Sequence, residues 1–329
     1  MKKLLCIDNN CTDPYFNLAT EEFLLKNKTD DVFMLWINEP VVVVGKHQNA
    51  MAEVNLDFVQ KENIKVARRL SGGGTVYHDL GNLNFTYIMN GEKGKLVDFT
   101  RYTNDILEVL NKLDVPAIRN QRNDLVINNE KFSGNAEHIF KQRVIHHGTL
   151  LFNSNLEVLN EAIKVKVGEY SDKAVQSVRS KVTNIVPYLS KNTTLNFLRD
   201  RLMQFMFKKY EHAIGYVLND KELHEIDKLK TEKYATWDWI FGYSPKYVLK
   251  KVLKISNVQL DAELTIKKGQ IIAVNFSGIS KDNHEIQAIS ECLLGSRHHK
   301  DELLKKMLQN AGCQQIKSFS AKDIINQLF

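Results

Sequence analysis

A run of three glycines between two strand-like segments restricts this chain more than any other feature of its sequence. The run, Gly72–Gly74, follows the basic pair Arg68-Arg69 and precedes a strand-like segment that begins at Thr75. Consecutive glycines are costly in conformational entropy, so a fold keeps them where the backbone needs an unusual φ or where a ligand approaches closely. Backbone N–H groups beside arginines form an anion-binding concavity. A hairpin turn with a solvated basic shoulder explains the same residues, and the loop alone does not decide between the two.

The glycine loop lacks the spacing of the common nucleotide-binding motifs. It matches neither GxxxxGK[ST] nor GxGxxG, and it joins Lys65–Ala67 to Thr75–His78, which are both predicted strands. Because no helix opens at the loop, neither a P-loop nor a Rossmann site is predicted.

The net charge indicates which kinds of partner the protein can bind, and the cysteines indicate the cellular compartment. The formal net charge of +6 favours anionic substrates or an acidic protein partner. No RNP pattern, zinc-finger spacing or aromatic–basic repeat is present, so no nucleic-acid partner is expected. The four cysteines form no CxxC pair, which argues against a disulfide framework or a structural zinc site and favours a reducing compartment.

The apolar segments are too short for targeting or membrane insertion. The opening apolar run ends at Asp8, short of the roughly 7–15 residues of a signal-peptide core. No window approaches the roughly 20 apolar residues of a membrane span. We therefore expect a cytoplasmic protein without membrane association.

Apolar periodicity predicts a mixed α+β domain over most of the chain. The spacing predicts an amphipathic helix over Asn17–Lys26 and strands over Val32–Ile37 and Val41–Val44. After the glycine loop, a further strand, a helix and a cluster of short strands are predicted, followed by a mainly helical region from about 156 to 233. The predicted elements after the glycine loop are strands at Leu83–Met89, Leu125–Ile127, Lys131–Ser133, Arg143–Ile145 and Thr149–Phe152, and a helix at Arg101–Leu113.

The pattern changes near residue 246, which predicts a second, smaller α+β domain. The tryptophan-rich segment Tyr234–Pro245 is typical of an ordered joint. Beyond it, two alternating segments, about Val252–Ile266 and Gln270–Phe276, predict strands, and helical spacing follows at about 285–294 and 300–309. We predict a domain over 1–245, which includes a linker at about 234–245, and an accessory domain over 246–329.

A second cluster of polar residues follows the glycine loop in the chain. Asp124 has a carboxylate suited to Mg²⁺, Lys131 can neutralise a phosphate, and His146-His147 supplies hydrogen-bonding groups. Each has a structural alternative: a turn cap, a solvated strand residue and a hydrogen-bonded pair of histidines. Together with the glycine loop, however, the cluster would align a carboxylate with the α-phosphate of ATP, which is the arrangement that acyl adenylation needs.

At this level of detail the chain resembles the lipoate–protein ligase family, and the resemblance covers nearly its whole length. RRLSGGGTVYHDLGN at 68–82 resembles the family signature RRxSGGGxVxHDxGN. QRNDLVIN at 121–128 resembles the RNDL element, and EKFSGNA at 130–136 resembles the lysine motif KxSG[SN]A. VIHHGTLLF at 144–152 and SVRSKVTN at 177–184 resemble the HHGTLL strand and the SVRSxVxN element. Several motifs in the same order are far more specific than any one of them.

The resemblance implies a two-step reaction on a known fold. The fold is a large mixed-sheet domain like the biotin and lipoate ligase catalytic domains, with a small accessory domain that is expected to move between the steps. ATP, with Mg²⁺, and (R)-lipoate would give lipoyl-AMP and pyrophosphate. The lipoyl group would then pass to a lysine of lipoyl domains in 2-oxoacid dehydrogenase E2 subunits, or of the glycine-cleavage H protein. A monomer is expected.

The resemblance also assigns roles to individual residues. Lys131 is the expected catalytic residue, which would contact the lipoyl carbonyl and the α-phosphate, and Asp124 is the expected Mg²⁺ ligand. The expected ATP and lipoyl-AMP site consists of Arg69, Ser71, Gly72, Gly73, Gly74, Thr75, Val76, Tyr77, His78, Lys131, Ser133, His147 and Gly148.

Three alternatives compete with this assignment. An octanoyl- or lipoyl-transferase on the same fold would need a cysteine nucleophile near the pocket motifs, yet no cysteine lies between Cys11 and Cys292. A biotin ligase would carry different glycine and lysine motifs. A non-catalytic lipoate- or nucleotide-binding protein would have no need for Arg69, Asp124 and Lys131 together.

Overall fold

The structure is a computed structural model, and it describes residues 3–91, 97–163, 168–255, 258–278, 284–314 and 320–329. In chain order the strands are β1 Leu4–Asp8, β2 Asp31–Ile37, β3 Val41–Val44, β4 Lys65–Arg68, β5 Val76–His78, β6 Asn82–Asn90, β7 Ile118–Arg119, β8 Leu125–Ile127, β9 Glu130–Ser133, β10 Asn135–Phe140, β11 Arg143–Leu151, β12 Tyr170–Asp172, β13 Ala213–Gly215, β14 Tyr247–Ile255, β15 Val258–Lys267 and β16 Gln270–Ser277. The helices are α1 Pro14–Asn27, α2 Ala50–Glu53, α3 Leu56–Lys61, α4 Phe99–Asn111, α5 Leu156–Ala162, α6 Leu195–Lys209, α7 Asp220–Leu229, α8 His284–Leu293, α9 Lys300–Gln309, α10 Ala311–Gln314 and α11 Ala321–Leu328. Within these residues no helix combines the length and apolar content that a bilayer span requires.

Two units make up the chain. The first consists of Met1–Lys46, Asp57–Ile163 and Gln176–Thr236, and the second consists of His47–Leu56, Lys164–Val175 and Trp237–Phe329. The second unit therefore includes two short segments that precede Trp237 in the sequence by at least 60 residues, which the sequence pattern did not predict. The proposed domain boundary near residue 246 stays a prediction.

The first unit is built around a six-stranded mixed sheet in the order β10-β11-β6-β2-β1-β13. Side chains alternate across β6, so one face carries Leu83, Phe85 and Tyr87 into the main apolar core. The opposite face carries Asn84 and Thr86, which are also buried. A strand that is polar on one face and yet buried on both indicates that the polar face is enclosed by other elements.

A three-stranded sheet, β4-β3-β5, presents the glycine loop. β3 pairs in parallel with β4 and antiparallel with β5, and β4 and β5 are the two edges of the sheet. The loop therefore runs from one edge strand to the other, past the end of β3, as the sequence predicted for a loop that joins strand to strand.

A third sheet, β7-β8-β9, places the second polar cluster in the first unit. Asp124 immediately precedes β8, and Lys131 lies on β9. Because β8 and β9 are antiparallel neighbours joined by the turn at Asn128 and Asn129, the carboxylate and the lysine end up side by side.

The second unit contains the antiparallel sheet β12-β14-β15-β16 and the C-terminal helices α8, α9, α10 and α11. Leu249, Leu264 and Ile289 are among its fully buried core residues, and Met51 on α2 packs into the same core. Two strands were predicted here, but the described residues after 246 form three, β14, β15 and β16. The predicted strand Val252–Ile266 spans the end of β14 and most of β15, and its residues 256–257 lie outside the described residues.

Strand β11, which contains His146 and His147, is longer than predicted. Two short strands, Arg143–Ile145 and Thr149–Phe152, were expected, whereas β11 runs unbroken from Arg143 to Leu151. Glycine is required there because a Cβ at Gly148 would lie 2.3 Å from Asn135 Oδ1 and 2.5 Å from Phe85 Cζ. The glycine thus permits close approach of neighbouring strands and does not end the strand.

The region from about 156 to 233 contains less helix than its sequence pattern predicted. Helices occupy Leu156–Ala162, Leu195–Lys209 and Asp220–Leu229, but the described residues between α5 and α6 hold only β12 and one short 3₁₀ turn. The extended part of this segment pairs with β9, and tertiary contacts of this kind override local helical preference.

Candidate active site

The glycine loop folds around the guanidinium of Arg69. The Nε of Arg69 donates to Ser71 Oγ at 3.0 Å, and its Nη2 donates to the carbonyls of Gly72 and Gly74 at 2.6 and 2.8 Å. Gly73 between them has φ +85°, a conformation that L side chains rarely adopt, and its missing Cβ would lie 3.1 Å from Nη2. Arg69 therefore holds the shape of the loop from inside.

Both arginines of the motif are buried. Burial lowers the pKa of Arg69 to about 10, against the opposing field of Glu21, so the guanidinium stays charged at neutral pH. Arg68 is fully enclosed, and its Nη1 donates to the carbonyls of Gly45 and Lys46 at 3.0 and 3.1 Å. Both arginines support backbone, and the phosphate contact expected of Arg69 stays a prediction.

A chain of buried hydrogen bonds connects the loop to α1. Ser71 Oγ lies 2.6 Å from His147 Nε2, and His147 Nδ1 lies 2.8 Å from Glu21 Oε1. The same Glu21 oxygen accepts from Thr86 Oγ1 at 2.6 Å, and Thr86 Oγ1 accepts from Trp36 Nε1 at 2.9 Å.

The hydrogen bond to Glu21 determines which ring nitrogen of His147 donates. A carboxylate only accepts, so His147 presents Nδ1–H to Glu21. In the neutral ring this leaves Nε2 as an acceptor for the Ser71 hydroxyl. The geometry of the glycine loop thus depends on a carboxylate 48 or more positions earlier in the sequence.

Glu21, Thr86 and Trp36 belong to the site although the sequence assigned them no role there. The predicted helix contains Glu21 and Glu22, and both are almost completely buried. Glu22 accepts from Lys26, Lys233 and Tyr234. Burial alone would raise the pKa of Glu22, but these donors outweigh it and the pKa is lowered. The available signal was a pair of adjacent acidic residues in a helix with many apolar residues.

The second polar cluster forms an ion pair. Lys131 Nζ lies 2.8 Å from Asp124 Oδ1, and the side chains are 27% and 16% exposed. Both groups therefore keep access to a ligand while neutralising each other. Next to them, a Cβ at Gly134 would lie 3.1 Å from Lys131 Nζ, so glycine leaves room for the lysine side chain.

One extended segment joins the two halves of the site. Residues 177–183, which we call the strap, begin where Ser177 Oγ accepts from the Thr75 N–H at 2.9 Å. Farther along, Lys131 N donates to Lys181 O and Thr183 N donates to Lys131 O, at 2.8 and 2.9 Å. The strap thus connects the glycine loop to β9, the strand of Lys131, and it coincides with the SVRSKVTN motif.

The remaining predicted site residues line the same region with different exposure. Ser133 and His78 are nearly fully buried, and Gly148 lies inside β11. Val76 and Tyr77 pair with Val43 and Val42 along one edge of β5. Burial raises the pKa of Tyr77 to about 12, so its phenol stays neutral.

The neighbouring histidines have separate environments. His146 faces the apolar core, where its Nδ1 lies 2.9 Å from Glu137 Oε1 and its ring packs against Phe85 and Tyr102. His147 faces the glycine loop. Successive strand residues point to opposite faces, so the two rings do not act together.

Asp124 is the partly exposed carboxylate that the second polar cluster offers to a metal ion. Among residues 3–91, 97–163 and the other described ranges, no three His, Cys, Asp or Glu side chains are grouped to hold a metal. Asp124 is nonetheless partly exposed and carries the oxygen ligands that Mg²⁺ prefers, and Mg²⁺ is often held by one or two carboxylates with substrate phosphates. The residues fit Mg²⁺ that arrives with ATP.

The four cysteines are all free thiols, and none has the properties of a nucleophile. Cys6 lies in the core strand β1, where burial raises its pKa to about 12. Burial also raises the pKa of Cys11, and Cys292 and Cys313 belong to the second unit. Reactive cysteines need a lowered pKa, so a cysteine acyl-enzyme is disfavoured.

Comparison with known families identifies both parts of the chain. Residues 13–207 match the lipoyl protein ligase A/B catalytic domain, and residues 244–328 match the bacterial lipoate protein ligase C-terminus. Lipoate-protein ligase LplJ of Bacillus subtilis is 35% identical over 302 residues, which cover 90% of this chain and 91% of the relative. Lipoate–protein ligase 1 of Staphylococcus aureus is 36% identical over 302 residues, which cover 90% and 92%.

Solved structures share the fold. P. falciparum LipL1, determined in complex with lipoate, superposes with a TM-score of 0.60 at 26% identity, over 93% of this chain and 94% of that one. The bipartite lipoate protein ligase of Thermoplasma acidophilum superposes with a TM-score of 0.62 at 23% identity, over 74% and 98%.

Proposed function

This chain belongs to the lipoate–protein ligase family, and from that membership we propose that it activates lipoate with ATP and ligates it to a protein lysine. The observation that supports this most is the ion pair of Lys131 and Asp124, held by the strap that also binds the glycine loop. A lysine beside a carboxylate, on a strand fixed to a backbone anion cradle, provides the groups that acyl adenylation requires.

In the first step the lipoate carboxylate attacks the α-phosphorus of ATP. A new O–P bond forms, the bond to the bridging oxygen breaks, and pyrophosphate leaves. Lys131 is the group we assign to the negative charge that builds on the α-phosphate, because its Nζ is exposed enough to leave Asp124 and contact a ligand. Positioning and charge neutralisation supply most of the acceleration in phosphoryl chemistry.

In the second step the ε-amine of the acceptor lysine attacks the acyl carbon of lipoyl-AMP. The C–N bond forms, the C–O bond to AMP breaks, and the amine loses a proton to solvent. The same Lys131 ammonium stabilises the departing AMP phosphate. One group thus serves both steps because both place charge on the same phosphate.

The glycine loop supplies the surrounding cradle. Arg69 holds the carbonyls of Gly72 and Gly74 inward, which leaves the remaining backbone of the loop available to a ligand. Thr75 N–H is engaged by Ser177 in this structure, so ligand contact there requires the strap to shift. Asp124 is the residue we assign to Mg²⁺, and the ion, when bound, neutralises phosphate charge.

We further propose that the acceptors are lipoyl domains of 2-oxoacid dehydrogenase E2 subunits and the glycine-cleavage H protein, and that the enzyme is a cytoplasmic monomer. Support for an E2 lipoyl domain comes from the fold relative studied together with its E2 lipoyl domain. Four free thiols fit a reducing compartment.

Intact-mass analysis of apo acceptor domains tests the proposal. Each domain is incubated with the full chain, lipoate, ATP and Mg²⁺, and we expect a mass increase of one lipoyl group on the domains it recognises. Omission of ATP must abolish the increase. An increase without ATP, from an octanoyl donor, would instead support a transferase.

A further inference from the structure

His78 has a buried ring nitrogen that no protein group satisfies. Its Nε2 is enclosed and has no hydrogen-bond partner among the described residues. The ring lies at the end of β5, four positions after the glycine loop, and it meets the Trp36 ring edge-on at 5.9 Å. Buried polar atoms without partners are uncommon in proteins, and one beside a ligand loop indicates a contact that a ligand completes.

A relay of three asparagines determines which nitrogen of His78 carries the proton. Asn17 Nδ2 faces the carbonyls of Cys11 and Ile37 at 2.9 and 3.1 Å, which fixes the orientation of its amide. Asn9 Nδ2 donates to Asn17 Oδ1 at 2.8 Å, in agreement with that orientation.

The relay continues to the histidine. Asn17 Nδ2 donates to Asn38 Oδ1 at 2.8 Å, so the other atom of the Asn38 amide, Nδ2, faces His78 Nδ1 at 3.0 Å. An amide N–H only donates, and His78 Nδ1 must therefore accept. The proton of the neutral ring consequently lies on Nε2, the nitrogen without a partner.

The surroundings keep this ring neutral. Burial lowers the pKa of His78 to about 3, and the field of Arg69 acts in the same direction. The ring thus presents one fixed N–H donor at any pH near neutrality. In its neutral form His147 has the opposite tautomer, because its Nδ1–H donates to Glu21. His78 and His147 are therefore held in different tautomers by different partners.

We propose that Asn17 and Asn38 are positioning residues, which hold His78 as its Nε2–H tautomer so that this group donates to the carboxylate of the acyl substrate. The inference rests on the proposed function, because it takes the acyl substrate to be lipoate. A carboxylate oxygen is the complementary acceptor, and Arg69 and His147 nearby give the site the polar character that a carboxylate needs. The Trp36 ring, which meets the His78 ring edge-on, suits the apolar chain that follows the carboxylate.

Two replacements of His78 separate this role from packing. His78→Asn keeps an acceptor near the Nδ1 position for Asn38 but has no distal donor, whereas His78→Gln can place an amide N–H near the Nε2 position. Lipoate binding to the full chain is measured by calorimetry without ATP. We expect His78→Gln to bind like the wild type and His78→Asn to bind about tenfold to a hundredfold more weakly, as for the loss of one hydrogen bond to a charged group.

A second measurement reads the tautomer of His78 directly and leaves His78 itself unchanged. Nitrogen-15 NMR of histidine-labelled wild type should show His78 protonated on Nε2 alone around neutral pH. In Asn38→Asp the new carboxylate accepts from the ring, so the proton is expected on Nδ1. Wild-type protonation on Nδ1, or equal lipoate affinity of the two His78 variants, would overturn the proposal. Failure of the proposed function can be distinguished from failure of this proposal. If the enzyme does not activate lipoate, pyrophosphate release is absent, but the differences in lipoate affinity and the tautomer of His78 are unchanged.

Discussion

The ammonium of Lys131 lies 2.8 Å from the carboxylate of Asp124, so the proposed catalytic cation and the proposed metal ligand neutralise each other before substrate binds. Neither group can form its full set of ligand contacts while this pair is closed. Binding of ATP with Mg²⁺ is therefore expected to replace one internal ion pair by two ligand contacts, one on each partner. This arrangement leads directly to a prediction about the carboxylate.

Asp124→Asn should raise the Mg²⁺ concentration for half-maximal pyrophosphate release by at least about tenfold, since loss of a supporting contact alone reduces metal affinity by that amount. Global stability should change little, because partly exposed ion pairs contribute about 0–1 kcal/mol. Asp114→Asn is a matched control: Asp114 is exposed at φ +60°, a conformation that asparagine also accepts. An unchanged Mg²⁺ titration in Asp124→Asn would exclude Asp124 as the ligand.

Glu21→Ala should destabilise the enzyme and weaken lipoate binding, whereas Glu21→Gln should restore most of both. Glu21 accepts hydrogen bonds from Thr86 and His147 through the same oxygen, Oε1, which glutamine retains. Alanine leaves those buried donors unpaired, at about 1–3 kcal/mol each. Thermal melting and lipoate calorimetry measure the two effects.

Glu22→Ala provides the control for Glu21→Ala. It removes a buried carboxylate from the same helix, but its partners are Lys26, Lys233 and Tyr234, away from the glycine loop's hydrogen bonds. We expect a loss of stability with lipoate affinity retained. Equal losses of affinity in both alanine variants would contradict the connection from Glu21 to the loop.

Gly73→Ala should reduce stability by about 1–2 kcal/mol through its left-handed φ of +85°, and it should also reduce substrate affinity. The added methyl would lie 3.1 Å from Arg69 Nη2 and push the guanidinium that shapes the loop. Gly215→Ala is the comparison, because a Cβ there meets nothing within 4 Å and its φ is ordinary. Chemical denaturation of both variants, with lipoate titrations, checks the result.

The free energy of unfolding should fall as the pH falls from about 6 to about 4. Burial lowers the pKa of His78 to about 3, and it lowers the pKa of His298 in the second unit to about 3. The unfolded chain binds protons at an ordinary histidine pKa, so stability is fully present above about 6.5 and is lost below it. Each histidine contributes about 1.4 kcal/mol per pH unit in this window.

Urea titrations at several pH values test this dependence. His78→Gln should reduce the slope by the contribution of one proton, and replacement of the exposed His224 by Gln should not change it. A slope that is the same in wild type and His78→Gln would show that His78 is not buried in its neutral form.

Local periodicity was enough to predict much of the first unit. The strands Val41–Val44 and Leu125–Ile127 lie where the sequence placed them, and the glycine loop joins strand to strand. The prediction was wrong where an interaction distant in sequence decides the conformation. Gly148 does not end β11 because it fits against Asn135 and Phe85, and residues before α6 form a strap on β9 in place of a helix.

The candidate site was predicted in part for the same reason. Asp124 and Lys131 are close in sequence, so one turn brings them together, and the glycine loop is visible by composition. Glu21 and Asn38 have no such local signal, because their partners His147 and His78 come from other strands. A buried carboxylate or amide is recognised only when the fold shows which donor or acceptor it satisfies.

Pyrophosphate release that depends on both lipoate and ATP tests the central claim most directly. The account predicts release by the wild type and its near loss in Lys131→Ala, with the fold retained in thermal melting and circular dichroism. Lys191→Ala, which removes an exposed lysine, should release pyrophosphate at the wild-type rate. Equal rates for wild type and Lys131→Ala, or release that does not require lipoate, would contradict the account.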